Sequence, residues 1–262
     1  MCLIFLNLPF IQDILKEMKQ FLLFVTVGFF AQMIDGTLGM AYGVSSRTFL
    51  KTVAGLPSNM ASAVVHAAEV PTTLVSGISH WRIGNVDYSK IYKLAIPGVI
   101  GGVIGSYFIM HVGAWIEPII SCYLIAMGFM IIFRASMKKP SKTELGNKIM
   151  PLGFLGGFLD ATGGGGWGPV VTSTMVASGH NVKKAIGTVN VAEFMVTIAT
   201  TVSFIFMIGN LKEYFLMILG MIVGGVVAAP IAARLCHKLP TRPLMFAVGI
   251  LLIVLNTFQL FQ

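Results

Sequence analysis

Four carboxylates stand in otherwise apolar stretches of this sequence and form two pairs at matched positions: Asp35 with Asp160, and Glu69 with Glu193. A charged side chain inside a membrane span costs about 2.5–3.5 kcal/mol on insertion scales, and such residues usually face a cavity or a partner. The aspartates could alternatively cap helix ends by accepting hydrogen bonds from free backbone N–H groups. The glutamates could instead join the two halves of the chain through structural hydrogen bonds. We predict a buried acidic site, with these structural roles as the open alternatives.

His66 precedes Glu69 by about one helical turn, so both side chains share one helix face. A His/Glu pair at this spacing can bind a metal ion, but a metal site needs further ligands. The residue that corresponds to His66 in the second pair is Asn190, which leaves no symmetric ligand set. We therefore predict no metal ion and no cofactor. We interpret His66, Asn190 and Asn59 as hydrogen-bond donors along a polar pathway.

A glycine-rich segment follows each aspartate: residues 36–43 are GTLGMAYG and residues 161–168 are ATGGGGWG. Consecutive glycines are poor helix formers, so the helices should break at these segments. Bare N–H groups at the start of a half-helix stabilise anions, and glycine lets a ligand approach the backbone closely. Tyr42 and Trp167, at matched positions, could wall such a pocket. The predicted substrate-binding residues are Asp35, Gly36, Thr37, Gly39, Tyr42, Asn59, His66, Asp160, Thr162, Gly163, Gly164, Gly165, Gly166, Trp167 and Asn190.

These matched features belong to a tandem repeat. Residues 28–43 (GFFAQMIDGTLGMAYG) align without gaps on residues 153–168 (GFLGGFLDATGGGGWG), and the register continues through both glutamates. The alignment predicts two transmembrane units, 21–133 and 151–262. The predicted short segments are 21–34, 39–54, 151–160 and 167–179, and the predicted full spans are 59–80, 90–111, 115–133, 184–208, 214–234 and 241–261.

Two further segments complete the chain: residues 1–20, expected to form an amphipathic helix on the membrane, and residues 134–150, expected to form a basic cytoplasmic linker.

If the short segments of a unit form a re-entrant pair, the unit has three crossings and the two units are inverted. If they form one unwound helix, the unit has four crossings and the two units are parallel. Inversion places Arg234, Lys238 and Arg242 on the side of the linker, so the positive-inside rule favours it.

The composition sets the class of protein. Hydrophobic residues make up 56% of the 262 residues and charged residues only 11%, against about 25% charged in average soluble proteins. Charge-free stretches over 94–116, 214–233 and 243–262 are each long enough for a helical span. We predict an all-α polytopic protein of the cell membrane. The net charge of +8 does not indicate nucleic acid, because the basic residues stand between apolar segments, and the three cysteines are too scattered for a disulfide framework.

Several motifs resemble the sulfite exporter TauE/SafE family, whose group is also called the toluene sulfonate uptake permeases. They are the doubled D-x-T-x-G-x-x-x-G break, the pair SNMASAVVHAAE and KAIGTVNVAE, and the stretch GISHWRIGNVD. The resemblance extends over residues 21–261. It implies a membrane carrier of small sulfur-containing anions such as sulfite, sulfoacetate and other sulfonates. The first break, GTLGMAYG, departs from the fuller glycine run ending in proline that many members have.

We therefore expect a secondary transporter for a small sulfur-containing oxyanion or sulfonate, with the lipid bilayer and that anion as its partners and no nucleic acid. Glu69 and Glu193 are the expected proton-coupling groups, because an ionised carboxylate would repel a passing anion and a protonated one would not. A gated anion channel is the first alternative. An intramembrane enzyme is the second, and we discount it because no nucleophile stands beside a base.

Overall fold

The computed structural model describes residues 8–136, 145–236, 238 and 241–261. These residues are helical almost throughout and form no strand, which confirms the all-α class. The helices are α1 (Leu8–Leu38), α2 (Tyr42–Thr52), α3 (Ser58–Arg82), α4 (Tyr88–His111), α5 (Glu117–Ser136), α6 (Ile149–Gly163), α7 (Ser173–Ala177), α8 (Val182–Ile208), α9 (Phe215–Leu235) and α10 (Thr241–Leu260). Five helices of the described ranges are long and apolar enough to cross a membrane, which confirms the polytopic class.

The six predicted full spans agree with α3, α4, α5, α8, α9 and α10 to within about three residues at each end. The first helix differs from the prediction, because α1 is a single helix of 31 residues with no boundary near residue 20. Its residues 12–20 are exposed, and their position on the membrane surface stays a prediction. The predictions for residues 1–7, for most of the linker (137–144) and for Gln262 lie outside the described residues.

Helix α3 is the polar centre of the molecule. It was predicted as a full span, yet it is not among the helices that are apolar enough to be recognised as spans. Its buried polar side chains are Ser58, Ser62, His66, Glu69, Thr72, Thr73, Ser76 and His80. Because α2, α8 and α9 pack around it, the polar face of α3 contacts protein, whereas Leu74, Ile78 and Trp81 on another face are exposed.

The direction of each helix follows from its contacts. The Oγ1 atoms of Thr73 and Thr197 lie 3.4 Å apart, and Ser76 Oγ donates to Asn190 Oδ1 at 2.6 Å. Rising residue numbers on α3 therefore face falling numbers on α8, so these helices are antiparallel. Helices α5 and α10 also cross antiparallel.

Helices α1 and α9 are instead parallel, because Gly28 lies against Met221 and Gly36 lies against Ala232. The pair α6 and α4 packs in the same parallel manner. Since α9 follows α8 through a short turn, α9 has the direction of α3. Helices α1 and α3 thus begin at the same end of the bundle, and α2 brings the chain back to that end.

Candidate functional site

The chain breaks twice inside the bundle, at residues 39–41 (the first break) and at residues 164–166 (the second break). Gly39 and Gly164 have nearly the same left-handed conformation, with φ of 68° and 66°. The N–H of Gly39 donates to Asp35 O at 2.5 Å, and that of Gly164 donates to Asp160 O at 2.6 Å. This is how a glycine in the αL conformation ends a helix. Helices α1 and α6 therefore extend a few residues beyond each aspartate, further than the sequence predicted.

The two breaks differ after that shared glycine. Ala41 has a φ of 88°, a left-handed conformation that costs a residue with a Cβ about 1–2 kcal/mol. Its counterpart Gly166 has an ordinary φ of −83°, and the chain continues through a π-helical turn, Trp167–Thr172, into α7. Such π-helical turns are rare and occur often at functional sites.

The four predicted carboxylates are all buried in the same central region. Their exposed fractions are 2% for Asp35, 1% for Glu69, 3% for Asp160 and 5% for Glu193. The electrostatic neighbours of Glu193 are the other three carboxylates. Four carboxylates that are out of water and repel one another need bound protons or a cation to be stable together. The cluster is closed to solvent in this conformation.

Asp160 and Asp35 have capping roles. Asp160 Oδ1 accepts a hydrogen bond from the backbone N–H of Trp167 at 3.2 Å. The carboxylate of Asp35 accepts the backbone N–H of Tyr42, which stands at the matched position. The capping alternative is therefore present in the structure. Capping uses only the Oδ1 atom of Asp160. The other oxygen, Oδ2, lies 3.4 Å from His66 Nε2.

His66 and Asn190 occupy matched positions but have different surroundings. His66 Nδ1 lies 3.0 Å from the carbonyl oxygen of Ser62, so Nδ1 donates a hydrogen bond to that carbonyl. Asn190 Nδ2 donates to Ile186 O at 3.1 Å, and its Oδ1 accepts from Ser76. Asn190 is thus held on both sides, whereas His66 Nε2 has no hydrogen-bond partner among the described residues.

Arg47 is a site residue that the sequence analysis missed. It is fully buried in α2, and its Nη1 donates to Gly163 O at 3.1 Å, directly before the second break. Its Nε and Nη2 atoms, and the nearby hydroxyl of Tyr123, have no partner within the described part of the chain. The signal was available: an arginine inside an apolar re-entrant segment requires a partner within the protein.

Several predicted residues have local roles. Asn59 is not brought to the four central carboxylates. It lies at the start of α3, where its Oδ1 accepts the N–H of Met60 at 2.8 Å. Its side chain lines a small pocket together with Glu117. The hydroxyls of Thr37 and Thr162 donate to carbonyls of their own helices. Gly36 contributes its carbonyl, which lies 3.0 Å from His80 Nε2.

The second break has glycines because neighbouring atoms leave no space for a side chain at these positions. A Cβ on Gly164 would overlap the side chain of Arg47, one on Gly165 would overlap Val44, and one on Gly166 would overlap the backbone of Asp160. Gly163, the residue before them, contributes the carbonyl that Arg47 binds. The glycine run therefore lets the two breaks approach each other closely.

Trp167 and Tyr42, at matched positions, lie beside the two breaks. Both side chains are buried, and Trp167 Nε1 donates to Val189 O at 3.2 Å. Of the predicted set, the structure thus brings together the aspartates, the glutamates, His66 and the aromatic pair around the two breaks.

A helical membrane protein whose two broken segments enclose an occluded polar centre is a transporter by architecture. The sulfite exporter TauE/SafE family model matches residues 24–258, and the chain belongs to that family. It is 39% identical over 247 residues to a Bacillus subtilis protein named "Probable membrane transporter protein YtnM", covering 91% of this chain and 82% of that one. A Haemophilus influenzae "Probable membrane transporter protein" is 24% identical over 261 residues, covering 90% and 97%. No solved structure matches the chain significantly. The predicted family, membrane location and transporter class are confirmed.

Proposed function

We propose that this transporter is a secondary carrier of a small sulfur-containing oxyanion or sulfonate, and that it exchanges protons at Glu69 and Glu193 during transport. The observation that carries the anion class is Arg47, a fully buried guanidinium with two nitrogen atoms that lack hydrogen-bond partners. Guanidinium donors match the oxygens of sulfite and sulfonate groups in the way they match phosphate and carboxylate. Tyr123, against Gly163, offers a further unused hydroxyl.

The acidic centre supports coupling to protons. An anion that enters beside four carboxylates is repelled unless some of them are neutral. Each anion therefore favours a protonated Glu69 or Glu193, and its release favours the loss of that proton. Glu193 is suited to this task because it is buried and its electrostatic neighbours are Asp35, Glu69 and Asp160.

We further propose that units 21–133 and 151–262 are inverted repeats, with two re-entrant pairs. Helices α3 and α8 are the same element of the two units and are antiparallel, as are α5 and α10. A symmetry axis along the membrane normal would make such pairs parallel. An axis in the membrane plane accounts for the observed directions and provides alternating access around a fixed centre.

Opposite-side labelling tests this topology. Single cysteines at Gly113 and Arg242, in a protein without its native cysteines, should react with a membrane-impermeant maleimide from opposite sides of the membrane. Labelling of both from the same side would rule out inversion and favour parallel units.

Reconstitution tests the transport function. Purified protein in liposomes should take up labelled sulfite, thiosulfate or sulfoacetate with saturation and counterflow, and should exclude chloride. Arg47→Gln should lower anion uptake by roughly tenfold or more, since a charge-assisted hydrogen bond is worth about 1.5–3 kcal/mol, whereas Arg82→Gln, an exposed arginine of α3, should not change it.

The same assay separates the alternatives. Flux that does not saturate and shows no counterflow would establish a channel, and chemical conversion of the anion would establish an enzyme. Normal uptake by Arg47→Gln would show that Arg47 does not bind the transported anion.

A further inference from the structure

The geometry points to a divalent metal site formed by His66, Glu69 and Asp160, which takes a borderline transition metal ion such as Zn²⁺. The three residues come from both units: two lie on α3 and the third ends α6, just before the second break. The inference concerns metal binding alone and does not depend on which anion the protein carries. While the ion is bound, Glu69 is ionised and proton exchange is left to Glu193.

The distances fit metal ligation. One ligand atom from each of the three residues lies within 4.8 Å of the other two, and Glu69 Oε2 lies 4.0 Å from the Nδ1 atom of His66. His66 Nε2 and Asp160 Oδ2 are 3.4 Å apart. Two ligands of a tetrahedral zinc ion, each bound at about 2.0–2.1 Å, are about 3.3 Å apart. The pair is therefore already spaced as adjacent ligands of one ion.

The hydrogen bonding shows that these atoms are not used otherwise. His66 Nε2, Glu69 Oε2 and Asp160 Oδ2 are buried and have no hydrogen-bond partner among the described residues. Nδ1 of His66 donates to Ser62 O, so Nε2, 3.4 Å from Asp160 Oδ2, is the ring nitrogen that faces the other ligands. A proton between Nε2 and Oδ2 would satisfy that pair but would leave Glu69 Oε2 alone. A metal cation satisfies all three atoms.

The second coordination sphere is also in place. Metal-binding histidines commonly donate their other ring N–H to a carbonyl, which fixes the tautomer, and Ser62 provides this carbonyl. Asp160 is held through its other oxygen by the N–H of Trp167. Both ligands are thus oriented before an ion arrives.

The matched position in the second unit does not offer the same histidine ligand. The counterpart of His66 is Asn190, whose side-chain atoms are already bonded to Ile186 and Ser76. Sequence reasoning predicted no metal because a lone His/Glu pair lacks a third ligand. That ligand, Asp160, stands far along the chain, in the other repeat, and only the fold brings it to His66.

The test uses the intact protein, purified in detergent with a tag that contains no histidine. Zn²⁺ alone, without any anion, is titrated by equilibrium dialysis, and bound metal is quantified by mass spectrometry. Wild type should show one saturable site. His66→Asn, which copies Asn190, and Glu69→Gln should each weaken Zn²⁺ binding roughly 100-fold. Glu213→Gln, the same change at an exposed glutamate between α8 and α9, should bind Zn²⁺ like wild type.

Co²⁺ provides a second readout that needs no variant. Wild-type protein with Co²⁺ should give the intense visible absorption of a four- or five-coordinate ion, and Asp160→Asn should weaken it. The inference fails if wild type shows no saturable site, if His66→Asn and Glu69→Gln bind Zn²⁺ as tightly as wild type, or if bound Co²⁺ has only the weak absorption of an octahedral ion. Failure here would leave sulfite uptake in liposomes unaffected, so the two proposals are tested separately.

Discussion

The first and second breaks share one backbone design but differ in chemistry. Both end a helix with a left-handed glycine whose N–H returns to the carbonyl of an aspartate. Around the first break His80 lies at hydrogen-bond distance from Gly36 O and Ser76 bonds to Asn190, while Asp35 Oδ2 and the Tyr42 hydroxyl have no hydrogen-bond partner among the described residues. Around the second break the unpartnered atoms include nitrogen atoms of Arg47 and His66. The two breaks thus share a backbone conformation and differ in the side chains beside them.

The largest expected effect comes from filling the second break. Gly165→Val would place methyl groups where Val44 lies, and overpacking of this kind costs about 1–3 kcal/mol and displaces backbone. Anion uptake in proteoliposomes should fall at least roughly tenfold, because Arg47 and the glycine carbonyls would move apart. The control is Met40→Leu, at the corresponding position of the first break, where a swap that nearly conserves volume should be tolerated. Normal uptake by Gly165→Val would make the glycine run a packing feature only.

A smaller effect, on thermal stability, should follow from replacing His80 beside the first break. His80 stands at the position that matches Phe204, and its ring lies within hydrogen-bond distance of Gly36 O and of Asn85. His80→Phe leaves the buried carbonyl unpaired, which costs about 1–3 kcal/mol. Thermal unfolding in detergent should show a lower Tm for this variant, whereas His111→Phe, on an exposed histidine at the end of α4, should not change Tm. Equal Tm values for wild type and His80→Phe would mean that the two breaks do not depend on these different partners.

The smallest effect concerns the turn between α3 and α4. Hydrogen bonds from Lys90 and Ser89 hold the pKa of Asp87 down to about 2, whereas the matched position has Lys212. Because the pKa is lower in the folded state, Asp87 stabilises the fold above its ordinary pKa of about 4, and this stabilisation is lost as the pH falls toward 2. Asp87→Asn keeps a capping side chain, so the Tm difference from wild type should be small at pH 6 and should disappear near pH 2. A Tm difference that does not change with pH would exclude this charge effect.

Much of this arrangement could be predicted from sequence because it depends on local patterns. Apolar runs located the spans, and glycines after the aspartates located the breaks. The sequence did not show which glycine ends each helix, because each glycine-rich segment contains several. Of the glycines in those two segments, Gly39 and Gly164 adopt the left-handed conformation. The meeting of His66 with Asp160 and of Arg47 with Gly163 joins residues of different units. Spacing along the chain does not determine such contacts. Asn59 was predicted to line the site because it is polar, but its position on α3 places it away from the carboxylates.

Proton movement during anion exchange tests the central claim most directly. Proteoliposomes that contain a pH-sensitive dye are given sulfoacetate, whose sulfonate group does not titrate near neutral pH, so any proton flux belongs to the protein. Wild type should move protons together with sulfoacetate and should respond to a pH gradient. Glu69→Gln and Glu193→Gln, which keep shape and hydrogen bonding but cannot titrate, should still exchange the anion while losing that response. If both variants retain the wild-type dependence on the pH gradient, the glutamates are structural and proton coupling through the acidic centre is contradicted.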